Sequence, residues 1–190
     1  MRTPPHRNGW PRAPAVVALA CALALLAGAA AAPPATRVDP PVEFRLRDQF
    51  GRTHDAADYR GRPMLLVAAG RGGRAAGTAW GGMLRGLQPD SATGVPVVAV
   101  ADLRGVPRLL RRVVRGRFPE DRRQAVLLDW DGALARRLAL DPERCTLLLV
   151  APDGGVEWRT SPAAVDTAAA RALLARAADL APAGAAGSHR

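Results

Sequence analysis

The chain has 190 residues, of which 48% are hydrophobic, and its formal net charge is +10 at neutral pH. This length suits one ordinary domain with its own core and does not require a second. All 27 basic side chains are Arg, which indicates a coding bias at surface positions, and aromatic residues make up only 4% of the chain. Aromatic side chains this scarce cannot form a base-stacking surface. We therefore predict no nucleic-acid partner.

The N-terminal segment has the order of a secretory signal peptide. Arg2, Arg7 and Arg12 precede an apolar stretch over residues 15–26, and small residues follow over 27–32. This charged, apolar and small-residue order predicts a signal peptide over residues 1–31, which engages the membrane during export and is cut after Ala31. Two alternatives stay open, an uncleaved membrane anchor and a lipoprotein processed at Cys21. We therefore expect a periplasmic or secreted protein, or one anchored by this segment.

Cleavage of the predicted signal peptide would change the number of cysteines in the protein. The two cysteines are Cys21 and Cys145, and the first lies in the leader. The mature protein therefore keeps one thiol and forms no internal disulfide. Core burial must stabilise the domain instead.

Residues 42–180 are predicted to form one α/β domain after a linker over 32–41, and residues 181–190 a disordered tail. Short apolar runs predict strands at 42–47, 64–69, 95–101, 124–128, 145–150 and 156–159. Amphipathic stretches predict helices at 74–87, 106–117, 133–140 and 165–180. The continuous apolar run 64–69 indicates a central strand buried on both faces. The turn residues Pro152 to Gly155 make the last two strands a hairpin.

Several spaced residues resemble the opening of a known superfamily. They are Phe44-x-Leu46-x-Asp48-x-x-Gly51 and then Tyr59-Arg60-Gly61-Arg62-Pro63 before an apolar strand. Leu128-Asp129, Asp131-Gly132, Thr146 to Val150 and Asp153-Gly154-x-Val156 continue the pattern. Together they resemble redoxin and thiol-peroxidase domains of the thioredoxin superfamily, and more specifically the YtfJ-type periplasmic proteins. The resemblance implies a thioredoxin-like three-layer sandwich, in which helices flank a central mixed β-sheet and a C-terminal hairpin and helix complete the fold.

The resemblance also places the redox positions of that superfamily. Its two cysteines fall on Gly73 and Ala76, and residues 70–87 contain no cysteine at all. The proline that faces this loop in the superfamily falls on Cys145. Dithiol exchange needs an attacking thiolate and a resolving thiol, so the resemblance implies a degenerate redox site.

Cys145 is the one candidate catalytic residue. The resemblance puts it opposite the start of the helix at 74–87, where the helix dipole would lower the pKa of a thiol. The simpler interpretation is a small buried residue at the start of a strand.

The loop Gly70-Arg71-Gly72-Gly73-Arg74 is the candidate binding loop. Its backbone N–H groups and two guanidinium groups would suit a small anion or a partner carboxylate if they formed a nest. A Gly-rich turn without a ligand is the simpler interpretation. The helix at 106–117 would present a cationic face, formed by Arg108, Arg111, Arg112 and Arg115, to solvent or to an anionic membrane.

His54 has no second His or Cys at metal-ligand spacing, so we predict no metal site and no cofactor. The sequence thus favours an exported protein of this fold that lacks the CxxC pair and acts as a non-catalytic binding or accessory module, with a protein partner in the cell envelope. The alternatives are a one-cysteine thiol oxidoreductase or peroxiredoxin-like protein that uses Cys145, and an assembly factor that docks proteins by its hairpin edge.

Overall fold

The computed structural model describes residues 41–88 and 94–182. It divides the chain into two units, Met1–Pro34 and Ala35–Arg190, and every described residue belongs to the second. The predicted signal peptide, nearly all of the predicted linker and most of the predicted tail lie outside the described residues. Within the described ranges, no helix is long and apolar enough to cross a membrane.

Within residues 41–88 and 94–182, seven strands form one mixed sheet. They are β1 (Arg45–Asp48), β2 (Thr53–Asp55), β3 (Met64–Ala69), β4 (Val97–Asp102), β5 (Val126–Asp129), β6 (Cys145–Val150) and β7 (Val156–Thr160). Their order in the sheet is β2-β1-β5-β4-β3-β6-β7. The central strands β3, β4 and β5 are parallel, whereas β1, β2, β6 and β7 pair antiparallel with their neighbours.

Four α-helices accompany the sheet in the part of the chain that the structure describes. They are α1 (Arg74–Gly86), α2 (Arg111–Arg115), α3 (Ala133–Arg137) and α4 (Thr167–Asp179). Single 3₁₀ turns lie at Ala56–Tyr59, Arg108–Leu110 and Arg122–Gln124. The Asp166 side chain accepts a hydrogen bond from the backbone N–H of Ala168 and so caps α4.

Alternate residues of β3 supply two separate cores. Leu66 and Ala68 pack into a cluster with Leu134 of α3, while Leu65 and Val67 pack into a second cluster with α1 and α4. Because helices lie on both sides of the sheet, the predicted three-layer sandwich is confirmed. The prediction of a central strand buried on both faces is confirmed as well.

The helix predicted over residues 106–117 is wrong in extent and in burial. Only the 3₁₀ turn Arg108–Leu110 and the five residues of α2 are helical, and neither element has a buried residue. No other element covers the expected apolar face, since Leu109 is 92%, Val113 57% and Leu110 50% exposed. Arginines three and four residues apart repel one another, and no side chain caps either element, so nothing extends the helix.

The hairpin formed by β1 and β2 is pinned by a polar network that the sequence did not reveal. The sequence places His54 beside Asp55 and Asp58, but its Nε2 lies 3.0 Å from Oδ2 of the buried Asp48 and its Nδ1 lies 3.1 Å from the Tyr59 hydroxyl. Oδ1 of Asp48 also accepts the backbone N–H groups of Phe50 and Arg52. The network holds the turn between the strands and is far from the predicted binding loop in the sheet order.

Candidate functional site

The predicted binding loop lies at the end of β3, against the start of β6. Ala69, the last residue of β3, pairs with Cys145, the first residue of β6. Gly73 is the N-cap of α1, and Ala76 lies in the first turn of that helix. The loop, the start of α1 and Cys145 are therefore neighbours, as the resemblance implies.

The glycines of the loop allow two stretches of backbone to touch. A Cβ atom at Gly70, Gly72 or Gly73 would overlap Pro142, Glu143 or Arg144 respectively. The backbone N–H of Gly72 also donates a 3.1 Å hydrogen bond to the carbonyl of Pro142. These contacts close the space between the loop and residues 142–145. Glycine is needed at these positions because the backbone of the loop packs directly against that of residues 142–145.

The loop lacks one form of the anion-binding nest that its sequence allows. No residue from 70 to 74 has a positive φ, so the alternation of right-handed and left-handed backbone conformations found in many nests is absent there. The N–H group of Gly72 is already used by Pro142. The side chains of Arg71 and Arg74, both of which are exposed, would contribute to an anion role of this loop.

Cys145 is a buried thiol. Its residue is 2% exposed and belongs to the core cluster that holds Trp80 and Leu147. A Cβ atom built on Gly77 would lie 3.9 Å from the sulfur, so the side chain packs under α1. Burial raises the pKa of Cys145 to about 11, which reverses the lowering expected from the helix dipole.

A raised pKa removes the reactive form of this thiol. The thiolate is the nucleophile in exchange reactions, and on a pKa of about 11 on the order of one thiol in ten thousand is ionised at neutral pH. The geometry therefore favours the simpler interpretation of Cys145 as a small core residue.

An open cavity of about 970 Å³ lies on the other side of the loop. Its floor is one face of the sheet, where Val67, Ala99 and Val126 stand side by side on β3, β4 and β5. One wall is α1, and the opposite wall is the segment of residues 103–119 that includes α2. Ala69 and Ala101 continue the floor, and such small side chains leave the space unfilled.

Five arginines and two carboxylates line the cavity along with these apolar groups. The arginines are Arg71, Arg74, Arg85, Arg104 and Arg117, and the carboxylates are Asp102 and Glu143. Asp102 is paired with Arg104 at 2.7 Å, and Glu143 lies in the exposed turn that touches the loop. Arg74 donates a 3.2 Å hydrogen bond to the carbonyl of Arg117 and so spans from α1 to the opposite wall.

Trp80 and Arg111 both have structural neighbours. Trp80 is 1% exposed in the core. Arg111 contacts the ring of Trp130 at 5.2 Å and bonds to Asp131 at 3.0 Å, so it does not belong to a free cationic face. In the described ranges, no group of three or more His, Cys, Asp or Glu residues is placed to hold a metal ion.

Sequence reasoning found the loop but missed the cavity. Gly70, Arg71 and Arg74 belong to both, whereas Arg85, Arg104 and Arg117 carry no sequence signal. They become neighbours only because α1 and the segment of residues 103–119 cross the same face of the sheet.

Comparison with solved structures identifies the fold. The pneumococcal exposed lipoprotein thioredoxin Etrx1 from Streptococcus pneumoniae has a TM-score of 0.57 and 16% identity, over 70% of this chain and 98% of that one. Peroxiredoxin Q of Xanthomonas campestris has a TM-score of 0.54 and 16% identity, over 75% and 94%. A SCO1/SenC family lipoprotein from Bacillus anthracis has a TM-score of 0.51 and 14% identity, over 75% and 98%.

These likenesses show that the chain has a thioredoxin-like fold, and at such low identities they show the fold alone. A comparison with protein-family models gives no match, and a comparison with curated protein sequences gives no significant match. The activity must therefore be argued from the site itself.

Proposed function

We propose that this chain of thioredoxin-like fold is an exported binding module that performs no thiol redox chemistry. The proposal is supported mainly by the absence of a reactive thiol at the start of α1. Gly73 and Ala76 occupy the positions that the resemblance assigns to redox cysteines, and the neighbouring thiol of Cys145 is buried with a raised pKa. The open cavity beside the loop offers a place for a ligand instead.

The buried thiol also weighs against the one-cysteine alternative. A mixed disulfide needs the sulfur to reach a partner sulfur in line, but the sulfur of Cys145 lies between β6 and α1. Turnover would require α1 to move away from the sheet, which would expose Trp80 and Leu84 of the same core.

The proposal that the protein is exported is supported by the predicted signal peptide and by structures of similar fold. The predicted signal peptide over residues 1–31 directs the chain out of the cytoplasm, and two of the similar structures are described as lipoproteins.

Disulfide reductase activity tests the proposal. We expect the full chain to reduce insulin with dithiothreitol no faster than dithiothreitol alone, and the Cys145→Ser variant to behave identically. Acceleration by the full chain that the Cys145→Ser variant lacks would establish the one-cysteine enzyme instead.

A further inference from the structure

The cavity beside α1 contains a half-buried cation, Arg85, that pairs with no carboxylate of the described residues. The guanidinium of Arg85 is half-buried and donates one 3.3 Å hydrogen bond, to the carbonyl of Val97. Burial lowers the pKa of Arg85, and no carboxylate among residues 41–88 and 94–182 pairs with it. A desolvated charge that lacks a counter-charge is costly, so an anion at this position would be favoured.

The rest of the cavity suits an extended apolar group. Arg85 and Arg74 are separated by about 16 Å along α1, given the rise per residue of an α-helix. Between them the floor is formed by the apolar side chains of Val67, Ala99 and Ala101. A small hydrophilic anion would leave this floor uncovered.

The wall opposite α1 continues the apolar surface to the outside. Leu110 and Val113 line the cavity and are also half-exposed. Apolar side chains that are exposed together, unlike isolated ones, are typical of a binding surface. A chain of methylene groups running from Arg85 along the floor would cover them from within.

We propose that the cavity binds an anionic amphiphile of the fatty-acid type, with its carboxylate on Arg85 and its acyl chain along Ala99 and Ala101. This assignment rests on the proposed binding function and names its ligand class. Arginine suits the head group because its planar fork donates two parallel hydrogen bonds to a carboxylate. The exposed Arg71, Arg74 and Arg117 draw anions to the same cavity.

Calorimetric titration of the full chain with dodecanoate, below the concentration at which it forms micelles, tests the proposal. We expect saturable binding of one molecule per chain. Dodecanol has the same chain without the charge and should bind at least tenfold more weakly. Acetate has the charge without the chain and should not bind.

Two variants with matched controls locate the site. Ala101→Leu fills the floor, and Arg85→Gln removes the cation; each should weaken dodecanoate binding at least tenfold. Ala172→Leu and Arg171→Gln make the same changes on the exposed surface of α4 and should leave the affinity unchanged. If Ala101→Leu loses its native circular dichroism, Thr78→Leu, at an exposed position that lines the cavity, takes its place.

The proposal is overturned if dodecanoate does not bind saturably, if dodecanol binds equally well, or if the cavity variants bind like their controls. Such a failure leaves the proposed function standing as long as the insulin assay shows no activity of Cys145. Reductase activity in that assay would refute the proposed function whatever the titration shows.

Discussion

At the scale of single residues, burial decides what two titratable groups can do. Cys145 is buried among apolar neighbours and has a raised pKa, whereas Asp48 is buried among hydrogen-bond donors and has a lowered pKa. Burial alone would raise the pKa of Asp48 too. The donors, namely His54 and the backbone N–H groups of Arg52 and Phe50, outweigh the burial.

The stability of the fold should therefore depend on pH through Asp48. Its pKa is lower in the folded state than the usual 3.8, so its contribution is complete above that value and is lost as pH falls through the lower, folded value. Urea unfolding at neutral pH should show that Asp48→Asn lowers the free energy of unfolding by about 1–3 kcal/mol.

The same measurement near pH 3 supplies the check. There the difference in the free energy of unfolding between wild type and Asp48→Asn should shrink. The reason is that protonation of the Asp48 carboxyl in the wild-type protein begins to remove the charge that the network stabilises. A difference that stays constant from pH 7 to pH 3 would mean that the charge of Asp48 plays no part in pinning the hairpin.

At the scale of elements, a glycine at the N-cap of α1 and one within the helix have opposite expected responses to alanine. Gly73 has a right-handed helical conformation that any residue adopts, but a Cβ atom there would overlap the backbone of Arg144 and Cys145. Gly82 lies on the exposed side of the same helix, where a Cβ atom would meet nothing within 4 Å.

Gly73→Ala should accordingly destabilise the fold by about 1–3 kcal/mol, the usual cost of overpacking. Gly82→Ala should stabilise it by about 0.5–1 kcal/mol, because alanine is the better helix former. Thermal unfolding of both variants measures the contrast. If Gly73→Ala were as stable as wild type, the loop would not be held against residues 142–145, and its glycines would need another explanation.

At the scale of the whole molecule, the sequence could predict the elements whose pattern is local. Cys145–Val150 and the start of α1 at Arg74 agree with the prediction to the residue, because an uninterrupted apolar run and a Gly-rich turn are strong signals. The strand β2 was missed because it has only three residues, which include the polar Thr53 and Asp55.

The other structural features were not predicted correctly because they depend on contacts between elements that are distant in the sequence. The apolar positions of residues 106–117 follow a helical period, but the period does not say whether the sheet will cover them. The cavity was not foreseeable for the same reason. Its lining comes from α1, three strands and the segment of residues 103–119, and its volume arises because Ala99 and Ala101 are small.

The proposed function requires that the thiol of Cys145 in this thioredoxin-like fold does not react. Alkylation of Cys145 by iodoacetamide tests it most directly, in the full chain carrying Cys21→Ser so that one thiol remains. We expect the native protein to react at least a hundredfold more slowly at pH 8 than the urea-unfolded protein, with a rate that still rises with pH and does not level off by pH 9, because the pKa of Cys145 is about 11. Rapid labelling of the native protein at neutral pH, with an apparent pKa well below the usual value of about 8.5, would contradict it.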